Sequence, residues 1–328
     1  MINLQQNEIK FALEAVRQAS LLVRHIQAEM ITPALTKGDR SPVTVADFAS
    51  QALVSKILQE YLPQDSLVGE EDATELRRQP EALAQVTTFL QNKIPQTSSE
   101  EVCALIDRGA SDISNRFWTL DPIDGTKGFL RGDQYAVALA LILDGKVQIA
   151  VLGCPNLSDG WRLDPGGSGS LVIAERGRGT WVTQLDGEGE FHRLHVSDVS
   201  QPSQARILRS FESGHTNVSQ IDLFAKALGV KVEPVRLDSQ AKYAVLAAGH
   251  GDLLLRLLSP SKPDYREKIW DQAAGSLVLE EAGGMISDLS GKALDFTSGR
   301  TLKYNRGVLA SNTLLHQAAL EALREIGA

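Results

Sequence analysis

The sequence predicts a two-part protein, an α+β half followed by an α/β half in which strands and helices alternate. Three observations carry this. Apolar residues recur at helical spacing through 4–30 and 46–61, and three strand-length apolar runs occupy 116–121, 135–143 and 146–153. Beyond residue 205, short apolar strands alternate with helix-length stretches, the pattern of a layered α/β unit. A chain of 328 residues can bury a large core and divide in two. The Gly- and Asp-rich stretch 156–169 marks the expected junction, giving parts 1–155 and 156–328.

In order, the first helix (4–30) carries Ile9, Leu13, Val16, Val23, Ile26 and Met30 on its inner face. A Thr-Lys-Gly-Asp-Arg-Ser-Pro loop over 36–42 leads to the second helix, 46–61, whose inner face is marked by Leu53, Ile57 and Tyr61. Ser66-Leu67-Val68-Gly69 is a short strand stopping at Glu70-Glu71-Asp72. Residues 73–100 are polar and partly helical, and 99–107 form a short helix. The three apolar strands follow, with Asp144-Gly145 the hairpin turn between the last two. Then come strand 205–210, helix 217–228, strand 232–235, helix 240–248, strand 252–256, helix 270–282, strands 284–288 and 307–310, and helix 313–325. There is no internal repeat, no Gly-x-x-x-x-Gly-Lys-Ser/Thr loop and no Gly-x-Gly-x-x-Gly string, so kinase-like and dinucleotide-binding readings lose support.

With 43% hydrophobic and 23% charged residues, the composition is that of an ordinary globular protein. No apolar run approaches the roughly 20 residues that span a bilayer. A net charge of −8 argues against a nucleic-acid polymer or an anionic membrane as partner, though not against a small phosphorylated molecule. The first eight residues lack the basic and apolar blocks of a signal peptide, so a cytoplasmic protein is expected. Cys103 and Cys154 are too few for a disulfide framework or a thiolate zinc site and read as small buried hydrophobes.

Chemistry concentrates in Leu120-Asp121-Pro122-Ile123-Asp124-Gly125-Thr126-Lys127-Gly128-Phe129. Two carboxylates appear where a buried strand ends, with a backbone carbonyl at Ile123 between them and a hydroxyl at Thr126. Hard divalent cations such as Mg²⁺ prefer that oxygen-only set. Asp-Pro and Asp-Gly are also common turn dipeptides, but a turn needs neither the second carboxylate nor the hydroxyl. Other acids stand at element ends: Asp47 at the mouth of the second helix, Glu70 and Glu71 after a strand, Asp271 before a helix. Each alone has a plain alternative, as a helix cap or a solvated strand-end charge.

Taken together, Gly69-Glu70-Glu71, Asp121-Pro122-Ile123-Asp124-Gly125-Thr126, Trp270-Asp271-x-Ala273-Ala274-Gly275 and Glu281-Ala282-Gly283-Gly284 resemble the lithium-sensitive, magnesium-dependent phosphatases of the inositol monophosphatase superfamily, in the family's order. The resemblance implies a layered α/β/α/β/α sandwich. It implies that Glu70, Asp121, the Ile123 carbonyl, Asp124 and Asp271 ligate two or three Mg²⁺ ions, that Asp47 and Thr126 position and deprotonate the attacking water, with Thr126 a relay hydrogen-bonded to Asp47, and that Li⁺ inhibits.

Three segments narrow the substrate. Lys127-Gly128-Phe129-Leu130-Arg131-Gly132, Leu237-Asp238-Ser239-Gln240-Ala241-Lys242-Tyr243 and Tyr265-Arg266-Glu267-Lys268-Ile269-Trp270-Asp271 are similar to the 3′(2′),5′-bisphosphate nucleotidase branch. By that resemblance Ser239, Lys242, Arg256, Asp271 and His215 contact a small phosphorylated nucleotide, with Lys242 the cation for a 5′-phosphate. For His215 a plain surface loop residue is the even alternative. His192-x-x-His195 reads as a strand edge without a site. The branch implies removal of the 3′-phosphate of adenosine 3′,5′-bisphosphate, and action on its sulfated parent, by a monomer or homodimer. The alternatives are an inositol polyphosphate 1-phosphatase or inositol monophosphatase-like activity, and a catalytically silent nucleotide sensor. The sequence departs from longer members of the branch in shorter 73–98 and 156–170 segments and in a Ser-Pro-Ser-Lys-Pro insertion within 257–265.

Overall fold

The computed structural model describes residues 2–29, 35–36, 42–187, 189–211, 218–259, 262 and 264–328. Helix α1 (Asn7–Glu29) precedes a two-stranded ribbon, β1 (Leu35–Thr36) and β2 (Pro42–Val43), and helix α2 (Val45–Tyr61). Strand β3 (Ser66–Gly69) leads to helices α3 (Thr74–Arg77), α4 (Pro80–Gln91) and α5 (Ser99–Asp107), then strand β4 (Arg116–Asp124) and helix α6 (Thr126–Arg131). The hairpin β5 (Ala136–Leu143) and β6 (Lys146–Cys154) is followed by β7 (Leu157–Ser158), β8 (Arg162–Leu163), β9 (Ser170–Glu175), β10 (Gly179–Gln184) and β11 (His192–Leu194). The remainder comprises β12 (Ile207–Arg209), α7 (Val218–Leu228), β13 (Val235–Arg236), α8 (Ala241–Ala247), β14 (Leu253–Arg256), α9 (Ala273–Glu281), β15 (Met285–Ser287), β16 (Val308–Ser311) and α10 (His316–Glu325).

Two sheets organise these elements. One has seven strands in the order β11-β10-β9-β6-β5-β4-β3, and the other five in the order β13-β12-β14-β16-β15. Helices α1 and α2 cover one face of the larger sheet, α8 and α9 lie between the sheets, and α7 and α10 close the far face of the smaller one. This is the five-layer α/β/α/β/α sandwich that the family resemblance implies. Because both faces of the larger sheet are covered, β5 is an almost unbroken apolar run. Its alternation is one of size: Val137, Leu139 and Leu141 pack under α1 and α2, while Ala136, Ala138 and Ala140 face the central helix layer. The small side allows α9 close to the sheet. At the hairpin, Asp144 and Gly145 take φ of 49° and 73°, as a type I′ turn requires.

Three expectations are corrected. Strands β9 to β11 continue the larger sheet past residue 155, so the boundary between sheets falls near residue 195 and not at the 156–169 stretch. The run Ser170-Leu171-Val172-Ile173-Ala174-Glu175, absent from the expected order of elements, forms β9. Tyr61, expected on the inner face of α2, is 42% exposed at the helix end. Helix α9 begins at Ala273, which leaves Trp270 and Asp271 in the preceding turn. His192 does lie on the edge strand of the larger sheet.

His316, at the start of α10, is buried between Ser287 of β15 and Ser311 of β16, with both ring nitrogens 2.9 Å from a hydroxyl oxygen. Ser287 Oγ donates to the Asp288 carbonyl, so it accepts from Nε2–H, and Ser311 Oγ donates to Nδ1. Burial lowers the His316 pKa. A depressed histidine stabilises the fold fully above its ordinary value near 6.5, and the contribution is lost as pH falls below that value. Thermal melts between about pH 7.5 and 5 are therefore expected to lose less stability on acidification in His316→Gln than in the parent chain.

Candidate active site

The Asp121–Asp124 pair owes its geometry to an irregularity. In a regular strand, residues three apart point to opposite faces. Here Asp121 pairs with Ala138 and Asp124 with Ala136, so three steps along β4 match two along β5 and the register shifts between them. Pro122 lacks the N–H that a regular ladder would use. The bulge brings Asp121 and Asp124 to a common side, where the charge of Asp124 helps to raise the Asp121 carboxyl.

Glu70 follows β3, which pairs in parallel with β4, and its N–H donates to the Leu120 carbonyl at 3.2 Å. The turn after it is held from α2 by Gln51, a residue not singled out from the sequence. The Gln51 amide donates to the carbonyls of Glu71 (2.6 Å) and Ile106 (2.8 Å) and accepts from Glu71 N–H (3.0 Å). Gly69 and Gly109 flank that amide, and a Cβ on either would collide with it. Asp47 is not the cap residue of α2. It is the third residue of a capping box, where its carboxylate accepts from Thr44 N–H (2.8 Å) and Oγ1–H (2.7 Å). Asp271 is not a cap either, since Gln272 holds that position without a side-chain bond.

Burial is the largest cause raising the Asp121 carboxyl well above its ordinary range, and the charges of Glu70, Asp124, Asp271 and Asp47 add to it. Asp121 Oδ1 is buried without a hydrogen-bond partner. Asp271 is likewise pushed well up by burial, then by Glu267, Asp124 and Glu70 against the opposing Arg256. Asp124 is raised by burial but relieved by Lys242, Arg256 and the Gln240 N–H, which donates to its Oδ2 at 2.5 Å. Among the described residues no three His, Cys, Asp or Glu side chains close tightly round one point. The acids face one another instead at the longer range over which like charges repel. An orphaned carboxylate oxygen among repelling acids is the environment a hard cation relieves, so the donor set fits Mg²⁺. Thr126 Oγ1–H donates to the Ile123 carbonyl at 3.3 Å and not to Asp47, so the expected bond between Thr126 and Asp47 is not made.

Near the acids stand two cations, one buried and one half-buried. Lys242, 4% exposed, donates to Ser210 Oγ at 3.0 Å, and its pKa is lowered to about 8 by burial and then by Arg256. Arg256 pairs with Glu267 at 3.1 Å while its Nε is buried without a partner. Burial alone would lower the Arg256 pKa, but Glu267, Tyr265, Asp271 and Asp124 raise it on balance. Ser239 takes φ 66°, and its hydroxyl accepts from Ala241 N–H at 3.2 Å. Gln240 joins the two sides: its backbone holds Asp124, and its amide donates to the Trp270 carbonyl (2.9 Å) and accepts from Gly275 N–H (3.0 Å). Ser210 carried no signal in the sequence, and Gln240 and Glu267, although inside segments similar to the nucleotidase branch, had no role assigned there. His215 lies outside the described residues.

A five-layer sandwich with acids gathered round a bulged strand, beside a buried Lys and a half-buried Arg, defines a class. The chain belongs to the inositol monophosphatase family, whose sequence model matches residues 4–328. Among its relatives, the 3′(2′),5′-bisphosphate nucleotidase of Schizosaccharomyces pombe is 42% identical over 334 residues, covering 96% of this chain and 94% of the relative. The protein of the same name from Oryza sativa is 43% identical over 339 residues, covering 97% and 94%. In fold, the chain is similar to the Thermotoga maritima IMPase, with a TM-score of 0.68 at 20% identity and 98% of each chain covered. It is also similar to CysQ from Bacteroides thetaiotaomicron, a bacterial member of the same family, with a TM-score of 0.59 at 19% identity, covering 92% and 96%. No helix among the described residues is long and apolar enough to cross a membrane.

Proposed function

We propose that this chain is a magnesium-dependent 3′(2′),5′-bisphosphate nucleotidase that removes the 3′-phosphate of adenosine 3′,5′-bisphosphate, giving AMP and phosphate in the cytoplasm. The observation that carries the reading is the pairing of a repelling carboxylate cluster with two cations, the buried Lys242 and the half-buried Arg256, both of which act on Asp124. The names of the relatives support the same substrate class. Glu70, Asp121, the Ile123 carbonyl, Asp124 and Asp271 would hold Mg²⁺. When bound, Mg²⁺ supplies charge neutralisation at the transferring phosphate and acidifies water.

The chain's own residues do the rest. Asp47, anchored by Thr44, is the acceptor for the proton of the attacking water. Thr126 spends its O–H on the Ile123 carbonyl, which leaves its oxygen to accept a hydrogen bond from that water. Lys242, still above neutrality at about 8, binds the 5′-phosphate, and Ser239 and Arg256 orient the nucleotide. An in-line attack by water requires no covalent phosphoenzyme.

Phosphate release in the presence of Mg²⁺, compared between adenosine 3′,5′-bisphosphate and inositol phosphates, tests this reading. The nucleotide is expected to be preferred, with Li⁺ inhibitory. Preference for inositol phosphates would instead select the inositol phosphatase reading. Lys242→Met is expected to raise KM for the bisphosphate about 10–100-fold, the loss of one charge-assisted contact, while a monophosphate lacking the 5′ group is little affected.

A further inference from the structure

Arg300 lies far along the chain from every acid in the site, yet it touches the residue before two of them. Its guanidinium donates from Nη1 to the Gly109 carbonyl at 3.2 Å and from Nη2 to the Gly69 carbonyl, one residue before Glu70. The same guanidinium stacks on the Trp270 ring at 4.8 Å, one residue before Asp271. Its backbone carbonyl accepts from Ile269 N–H at 3.1 Å, and Leu302 N–H donates to the Glu267 carbonyl at 2.9 Å, so the 300–302 segment is laced to the lead-in of Asp271. Gly69 N–H donates in turn to Gly109 at 2.8 Å, which fixes the end of β3 to the same point.

Glu70 and Asp271 repel each other, Glu70 being among the charges that raise Asp271. Neither carrying segment pairs directly with the other: β3 belongs to the larger sheet, and Trp270 leads into the central helix layer. A brace between them must therefore come from elsewhere. We propose that Arg300 is that brace, a positioning residue that ties Gly69 to Trp270, sets the spacing of the Glu70 and Asp271 carboxylates, and thereby sets the affinity for divalent cations. Arginine suits the task because its planar fork serves two carbonyls while its face lies on an indole, which a lysine ammonium cannot do together. The inference rests on the reading of Glu70 and Asp271 as metal ligands.

The test is Mg²⁺ binding, measured by titration calorimetry on metal-stripped protein without nucleotide, for the parent chain, Arg300→Lys and Arg300→Gln. Residues behind the ligands typically govern metal affinity by about 10–100-fold, and a weakening of that size is expected in both variants. Phosphate release should recover toward the parent rate as Mg²⁺ is raised, which a general loss of fold would not permit. If Arg300→Gln does not fold by circular dichroism, Arg300→Lys, which keeps the charge, carries the comparison. Parent-like Mg²⁺ affinity in folded Arg300→Lys overturns the proposal. A parent chain that binds no Mg²⁺ overturns the metal-site reading together with it, so the two failures are distinguishable.

Discussion

Asp124→Asn is expected to fold normally and to release phosphate on the order of 10³-fold more slowly than the parent chain. Asn retains an oxygen that can accept the Gln240 N–H, now accepted by Asp124 Oδ2 at 2.5 Å, so the junction between β4 and α8 should hold. What disappears is a negative charge that Lys242 and Arg256 both stabilise. On the proposed reading it is also a ligand of Mg²⁺, a cation that would contribute several kcal/mol at the transition state. A loss of about 4 kcal/mol corresponds to that factor in rate. Initial rates at saturating nucleotide, with circular dichroism as the control for folding, check the result. An unchanged rate would place the reaction elsewhere on the molecule.

The second large effect is structural and reaches the site from behind. Gln51→Leu preserves side-chain volume but strips three buried backbone groups of their partner: Glu71 N–H, Glu71 carbonyl and Ile106 carbonyl. An unsatisfied buried polar group costs about 1–3 kcal/mol. Partial relaxation should keep the total near 2–4 kcal/mol, within the range of severe single substitutions. The turn carrying Glu70 would lose its anchor, so activity should fall by more than the change in folded fraction explains. Chemical denaturation together with phosphate release at a temperature where the variant remains folded separates the two. Parent-like stability would mean that another group satisfies the turn.

Much of this molecule was legible in advance. The helix at 46–61 and the Asp144-Gly145 hairpin follow from local periodicity and turn chemistry, which act over a few residues. The acids were legible because each stands beside a glycine, proline or aromatic residue that marks the end of an element. The strands over 170–194 join the larger sheet, an assignment that nothing local dictates for a short apolar run. The reading of Asp47 and Asp271 as possible caps gave way because cap identity depends on where the first helical residue falls: Thr44, through its capping box with Asp47, holds that position in α2, and Gln272 holds it in α9.

The sequence by itself determined the class of chemistry, since a set of acids ordered as Glu70, Asp121, Asp124 and Asp271 inside the family's motifs is a property of residue type and order. Only the tertiary structure decided how those groups meet. A one-residue register shift put Asp121 and Asp124 on one side of β4, and Gln51 and Arg300, residues without a local signature, together with Gln240 hold the carrying segments together. Like charges do not assemble themselves. Their convergence requires hydrogen bonds and packing between parts of the chain up to 231 residues apart, and such contacts leave no trace in the local pattern.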